Sequence, residues 1–182
     1  MFVQHKKDIK RVRLLVDLTE RNRVTLKDNE PIPNQTTILN DMARARYRSN
    51  IDLSNADFET RVEPEDVWKN SFKSPFGGFV TEVMLQGDMN VLGTFMRIMS
   101  DLMVDFLEKF VWVYIDDILI FSDTEEDHLT HIVAICDKLK GAQFCASRKR
   151  SEFFAPTIEV LGHIIDDEWL KPDPERIAKI KP

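Results

Sequence analysis

Apolar positions along this chain change period several times, and each change marks an element. In "RVRLLVDL" (residues 11–18) they alternate closely enough for a strand. "TLKDNEPIPNQ" carries Pro31 and Pro33, which exclude a helix there and predict a loop. "TTILNDMARAR" then adopts helical spacing, with Ile38, Met42 and Ala45 on one face. A short strand follows over residues 49–53, ending in a polar turn, and "NSFKSPFGGFVTEVML" predicts a hairpin turning at residues 75–78.

The strongest periodicity lies in "NVLGTFMRIMSDLMVDFLEKF". There Leu92, Phe95, Met96, Met99, Leu102, Met103 and Phe106 form a broad stripe behind Asn90 as N-cap. "VWVYIDDILIF" predicts strand, turn and strand. "SDTEEDHLTHIVAICDKLKG" predicts a helix capped by Ser122 or Asp123, with acids in its first turn, lysines in its last and Gly141 as its stop. Two short strands in "RSEFFAPTIEVLGHII" and a helix starting in "DPERIAKI" complete the pattern. Strand, helix, hairpin, helix, strand is the order of a ferredoxin-like βαββαβ unit with an antiparallel sheet, so the fold class is α+β.

One feature resists this packing scheme. Asp116 and Asp117 sit side by side inside an apolar hairpin. Burying unpaired carboxylates costs several kcal/mol each or forces them to take protons. Either the pair lies at an exposed tip, as ordinary turn chemistry, or a positive partner meets it. A ferredoxin-like sheet places its first strand beside the central hairpin, which brings Asp52 of "NIDL" to the same spot. Three converging carboxylates repel one another unless cations bind, and two divalent ions about 3.5–4 Å apart need such oxygen ligands. Asp101, Asp105 and Glu108 instead form a solvated helix face, and the methionines of residues 84–103 are core filler.

Composition adds a charge asymmetry. The net charge is −6, yet residues 1–50 carry +5 and residues 51–182 carry −11. A basic amino-terminal lobe on an acidic body suits phosphate contact at one end and cation binding at the other. With 43% apolar and 31% charged residues the chain has a globular composition. No apolar run approaches the roughly 20 residues of a membrane span, and the start lacks a secretory h-region. Cys136 and Cys145 match no metal spacing and are expected as reduced thiols of an intracellular protein, in cytoplasm or nucleus.

"YIDDILIFS" followed by "HLTHI", then "EVLGHII" and "LKPDPERIAKI", closely resembles the reverse transcriptase of gypsy-type LTR retrotransposons. "VDLTERNRVTLKDNEPIPNQTTIL", "IDLSNADFETRV", "WKNSFKSPFGGF" and "MLQGDMN" extend the likeness over nearly the whole chain. The resemblance implies a right-hand polymerase core: fingers over 1–47 and 63–89, palm over 48–62 and 90–182, with thumb and RNase H absent.

It also implies an RNA-directed DNA polymerase using Mg²⁺ or Mn²⁺, with RNA or DNA template, DNA primer and dNTPs as partners, as a monomer or weak dimer. Asp52, Asp116 and Asp117 would be catalytic and hold the ions, with the Leu53 carbonyl. Lys7, Arg13, Asp57, Gln86, Gly87 and Lys149 (or its neighbour Arg150) would meet the nucleotide, and Leu161, Gly162 and His163 would form the primer grip.

The family pattern D-L-x-x-A-Y/F-x-Q here reads Asp52-Leu53-Ser54-Asn55-Ala56-Asp57-Phe58-Glu59, so an acid replaces the aromatic that excludes a 2′-hydroxyl. Leu85 stands for proline, Asn90-Val91-Leu92 for N-A-P, Thr19 for arginine and Ile9 for glycine. Two histories fit: an active copy with unusual pocket chemistry, or an impaired, domesticated chain that binds nucleic acid or protein. Asp57→Tyr should sharpen the preference for dNTP over rNTP in single-nucleotide incorporation; equal ratios for the variant and the natural chain would remove this role for Asp57.

Overall fold

The structure, a computed structural model, describes residues 2–5, 12–53, 60–168, 170–172 and 174, with side chains from residue 16 onward. In chain order the elements are β1 (Phe2–His5), β2 (Val12–Leu15), α1 (Thr19–Val24), α2 (Gln35–Arg44), β3 (Tyr47–Asp52), a 3₁₀ segment (Pro64–Asn70), β4 (Phe72–Ser74), β5 (Gly77–Phe79), α3 (Val91–Leu102), β6 (Val111–Tyr114), β7 (Asp117–Ser122), α4 (Glu125–Gly141), β8 (Ile158–Val160), β9 (His163–Ile165) and β10 (Leu170–Pro172). They group into two compact units, Met1–Glu30 with Asn55–Arg97, and Pro31–Ser54 with Ile98–Pro182.

The second unit is built on an antiparallel sheet of order β3-β7-β6. Outside β3 runs an irregular stretch, residues 146–155, held by Ser147 N–H on the Asp52 carbonyl at 2.8 Å and Ala155 N–H on the Arg48 carbonyl at 3.0 Å. The bridges Asn50–Glu152 and Leu53–Ala146 belong to the same edge. With that stretch as fourth strand, the spatial order is the 4-1-3-2 of a ferredoxin-like sheet, as the sequence predicts.

Strand alternation divides the side chains between two faces. Ser49, Ile51, Ile118, Ile120 and Ser122 share one face, where His128 of α4 lies between Ser49 and Ser122. Trp112 and Leu119 lie on the other, packed with Ile38, Leu39 and Met42 of α2 and with Ile158, Val160 and Ile165 of β8 and β9. Arg48, 2% exposed, locks that face by donating from Nε to the Met42 carbonyl (2.7 Å) and from Nη1 to Asp167 (2.9 Å). These contacts explain why residues 31–47, assigned from the sequence to the amino-terminal fingers segment, cluster with the sheet of the second unit.

In the first unit β1 and β2 pair antiparallel, as do β4 and β5. The β4–β5 turn is the two-residue Pro75-Phe76 loop, entering β5 at Gly77 with φ +126°. Arg21 of α1 reaches both Asp88 and the Asn70 amide oxygen. Asn22 donates to the Gly87 carbonyl at 2.8 Å and accepts from Met89 N–H at 3.1 Å. The short helix α1 and the 3₁₀ segment are absent from the sequence expectation.

Three boundaries differ from the sequence pattern. Helix α3 stops at Leu102, because residues 103–110 form successive turns with Glu108 at φ 64°. Asn90 precedes α3, but its side chain accepts from Asp28 N–H (3.0 Å) and donates to the Leu26 carbonyl (2.8 Å) instead of capping the helix. Thr124, not Ser122 or Asp123, caps α4 by accepting from Asp127 N–H, while the helix ends at Gly141 as expected, with Ala142 as its C-cap. Apart from Pro174, the helix expected in "DPERIAKI" lies outside the described residues. Cys136 and Cys145 are free and exposed. No described helix is long and apolar enough to cross a membrane.

His128 is fully buried, and its Nε2 and Nδ1 each lie 2.8 Å from a serine hydroxyl, of Ser49 and Ser122. Burial, and secondarily the charge of His131, lowers its pKa from 6.5 to about 4. The neutral ring is the folded form, so its contribution is complete above pH 6.5 and is lost as pH falls toward 4. The loss amounts to roughly 3 kcal/mol over that interval. Urea unfolding between pH 7.5 and 4 should show this decline, and His128→Gln should flatten it; an unchanged slope in the variant would contradict the assignment.

Candidate active site

The acidic corner follows from strand register. Asp52 is the last residue of β3 and Asp117 the first of β7, and they are direct cross-strand partners. Asp116 occupies the preceding turn, and its carbonyl accepts from Leu53 N–H at 3.2 Å. That turn is tight: Ile115 adopts φ 55°, a left-handed conformation rare for a β-branched residue. Strain of this kind fixes where the two aspartates leave the hairpin.

The same alternation that buries Leu119 places Asn50, Asp52 and Asp117 on the α2 face, just beyond the end of its apolar cluster. Here a cleft of about 580 Å³ opens, lined by Asn50, Asp52, Asp116, Asp117, Arg150 and Leu161 among others. Asn50 Nδ2 donates to Asp117 Oδ1 at 3.0 Å, which holds that carboxylate in place. Asn50 Oδ1 is buried and accepts no hydrogen bond among the described residues.

Directly opposed strand residues carry Cβ atoms about 5 Å apart. Two unit charges at that spacing repel by about 3 kcal/mol at an effective dielectric near 20. Among the described residues, Arg150 brings a cation to this corner. Arg150 Nη2 lies 2.7 Å from Asp52 Oδ1 and donates to the Leu53 carbonyl at 3.3 Å. Among the described residues no three carboxylate, imidazole or thiol groups already form a cage that could hold a metal ion. The donor set nevertheless suits a hard divalent ion: carboxylates, a backbone carbonyl and an amide oxygen around one solvent-open cleft.

The other site residues distribute as follows. Leu161 and Gly162 line the same cleft as the aspartates. They are the two-residue loop of the β8–β9 hairpin, with φ 52° and 75°, the double left-handed geometry of a type I′ turn. His163 opens β9 opposite Val160, its Nδ1 3.3 Å from the Leu161 carbonyl oxygen, and is absent from the cleft lining. Of the two adjacent basic residues, Arg150 lines the cleft and Lys149 is exposed outside it.

Gln86 and Gly87 belong to the first unit, on the turn clamped by Asn22, with Gly87 at φ 97°. Arg13 lies on β2, within the part described as backbone, and Lys7 and Asp57 lie outside the described residues. Sequence reading passed over Asn50, Gln35, Tyr114, Glu152 and Glu159, which also line the cleft. A signal existed for Asn50: it stands two residues before Asp52 on the same strand, hence on the same face.

The family model described as "Reverse transcriptase (RNA-dependent DNA polymerase)" matches residues 4–165. The chain belongs to the reverse transcriptase family. It is 31% identical over 168 residues, 92% of its length, to the retrovirus-related Pol polyprotein from transposon 297 of Drosophila melanogaster. It is 30% identical over 93% of its length to the Pol polyprotein from transposon gypsy of the same organism. The chain spans only 16% of each of those polyproteins.

Among solved structures, the foamy viral protease-reverse transcriptase in complex with double-stranded DNA superposes with a TM-score of 0.87 at 24% identity, covering 98% of this chain and 31% of that one. The complex of that protein with an RNA/DNA hybrid gives a TM-score of 0.84, again at 24% identity, covering 98% of this chain and 24% of the other. The fold is therefore that of a reverse transcriptase fingers–palm core, of gypsy type by its polyprotein relatives.

Proposed function

We propose that this chain carries the polymerase site of an RNA-directed DNA polymerase, joining dNTPs to a DNA primer along an RNA or DNA template. The observation that carries the reading is the register pair Asp52–Asp117 with Asp116 on the adjoining turn, all three on one cleft. Such a juxtaposition of like charges costs stability in an ordinary sheet. It has a use where cations must gather.

Asp52, Asp116, Asp117 and the Leu53 carbonyl are the groups that would hold magnesium or manganese. When bound, the divalent ions supply Lewis acidity that acidifies the primer 3′-hydroxyl and stabilises charge on the α-phosphate and pyrophosphate. Asn50 keeps the Asp117 carboxylate aimed into the cleft. Leu161 and Gly162 present a rigid hairpin loop to the same cleft, suited to hold the primer end. Arg13 and Lys7 are assigned to the triphosphate, where a guanidinium fork can bind phosphate oxygens bidentately. Gln86 lies along the nucleotide, and Gly87 allows close backbone approach. The partition into fingers (1–47, 63–89) and palm (48–62, 90–182) goes with this reading.

A labelled-primer extension assay on RNA and DNA templates tests it. Extension should require Mg²⁺ or Mn²⁺, and Asp116→Asn should lower it at least about a hundredfold, the scale on which loss of one electrostatic stabiliser acts. Extension without divalent metal, or undiminished in the variant, would contradict the proposal.

A further inference from the structure

Arg150 holds a position that its sequence context alone does not explain. Its Nη2 touches Asp52 Oδ1 (2.7 Å) and the Leu53 carbonyl (3.3 Å), two of the oxygens assigned above to a divalent ion, and Nε reaches Ser147 Oγ at 3.2 Å. The backbone around it is clipped to β3 on both sides: Ser147 N–H donates to the Asp52 carbonyl at 2.8 Å, and Asp52 N–H donates to Ser151 Oγ at 3.2 Å. The pair is unequally exposed, with 54% of the Arg150 side chain accessible against 17% for Asp52. The carboxylate is fixed, whereas the guanidinium reaches it from the solvent side on a long rotatable stem.

We propose that Arg150 is an internal counter-ion. Its guanidinium neutralises Asp52 and the Leu53 carbonyl while no divalent ion is bound, and it must leave those oxygens before an ion takes them. This rests on the reading of the acidic cleft as a metal site and adds a positioning role for one residue. The exchange needs no backbone movement, because residues 147–151 stay hydrogen-bonded to Asp52 while the side-chain torsions of Arg150 turn. It also keeps the opposed carboxylates from repelling each other in the metal-free protein. The released guanidinium is then available to an anion entering the same cleft. Ion uptake and exposure of a cationic fork become one event.

The consequence is competition, which can be read without any catalysis. Free-Mn²⁺ electron paramagnetic resonance titrations on the whole chain would compare the natural protein with Arg150→Gln, Arg150→Lys, Asp52→Asn and the double variant Asp52→Asn/Arg150→Gln. Arg150→Gln should bind Mn²⁺ about five- to tenfold more tightly than the natural chain, the size set by removing one like charge a few ångströms away at a largely solvated position. Arg150→Lys keeps the charge and loses the fork, so it should gain about two- to threefold, and it serves if the glutamine variant fails to fold. Asp52→Asn should lose the ion in both backgrounds.

Equal or weaker binding in both Arg150 variants, with binding still dependent on Asp52, would overturn the counter-ion role and leave the metal site standing. Absence of Mn²⁺ binding in every protein, Arg150→Gln included, would overturn both.

Discussion

The structure depends on a repulsion. Asp52 and Asp117 are partnered across two central strands, and the strand residues beside them, Ile51, Ile118 and Leu119, are apolar and almost completely buried. The carboxylates are tolerated because both stand at strand ends, where the sheet opens into solvent. Asn50 holds one of them and Arg150 neutralises the other. The rest of the second unit serves that placement. Strand register, the left-handed Ile115 and the edge stretch carrying Ser147 to Ser151 all bear on where these oxygens point.

A second layer fixes the sheet itself. On one face, His128 joins β3 and β7 through Ser49 and Ser122, and Ser49 also accepts from Phe154 N–H at 3.0 Å, tying the helix face to the edge stretch. On the other face, α2 packs its apolar side on Trp112 and Leu119, while Trp112 Nε1 donates to Asp41 at 2.9 Å. Buried polar groups like these demand their partners, because an unmet donor or acceptor costs about 1–3 kcal/mol. They fix register more strictly than apolar contacts alone, and a slip by one residue would move Asp52 to the opposite face.

Much of this was legible in the sequence, for physical reasons. Apolar, β-branched and aromatic runs located β6 and β7, a short strand before a polar turn located β3, helical spacing located α2 and α3, and end signals located α4, so the βαββαβ order followed. The cation argument also needed only Asp52, Asp116 and Asp117 in that topology. What failed was local. The apolar run after Leu102 continues through Phe106, yet Phe106 and Phe110 pack with tilted rings (5.0 Å between centroids) within turns, and periodicity cannot separate a compact apolar turn from another helical turn. Asn90 looked like a cap because it precedes a helix, but two backbone groups of residues 26–28 claim its side chain. Arg150 could not be told from Lys149, since only three-dimensional proximity to Asp52 distinguishes them.

The central claim is that these aspartates form one cation-binding corner. Anomalous diffraction from crystals of the chain soaked in Mn²⁺ tests it most directly. A peak within coordination distance of both Asp52 and Asp116, with the Arg150 side chain turned away from Asp52, is the predicted result. Manganese bound elsewhere only, with the Asp52–Arg150 pair intact, would contradict it.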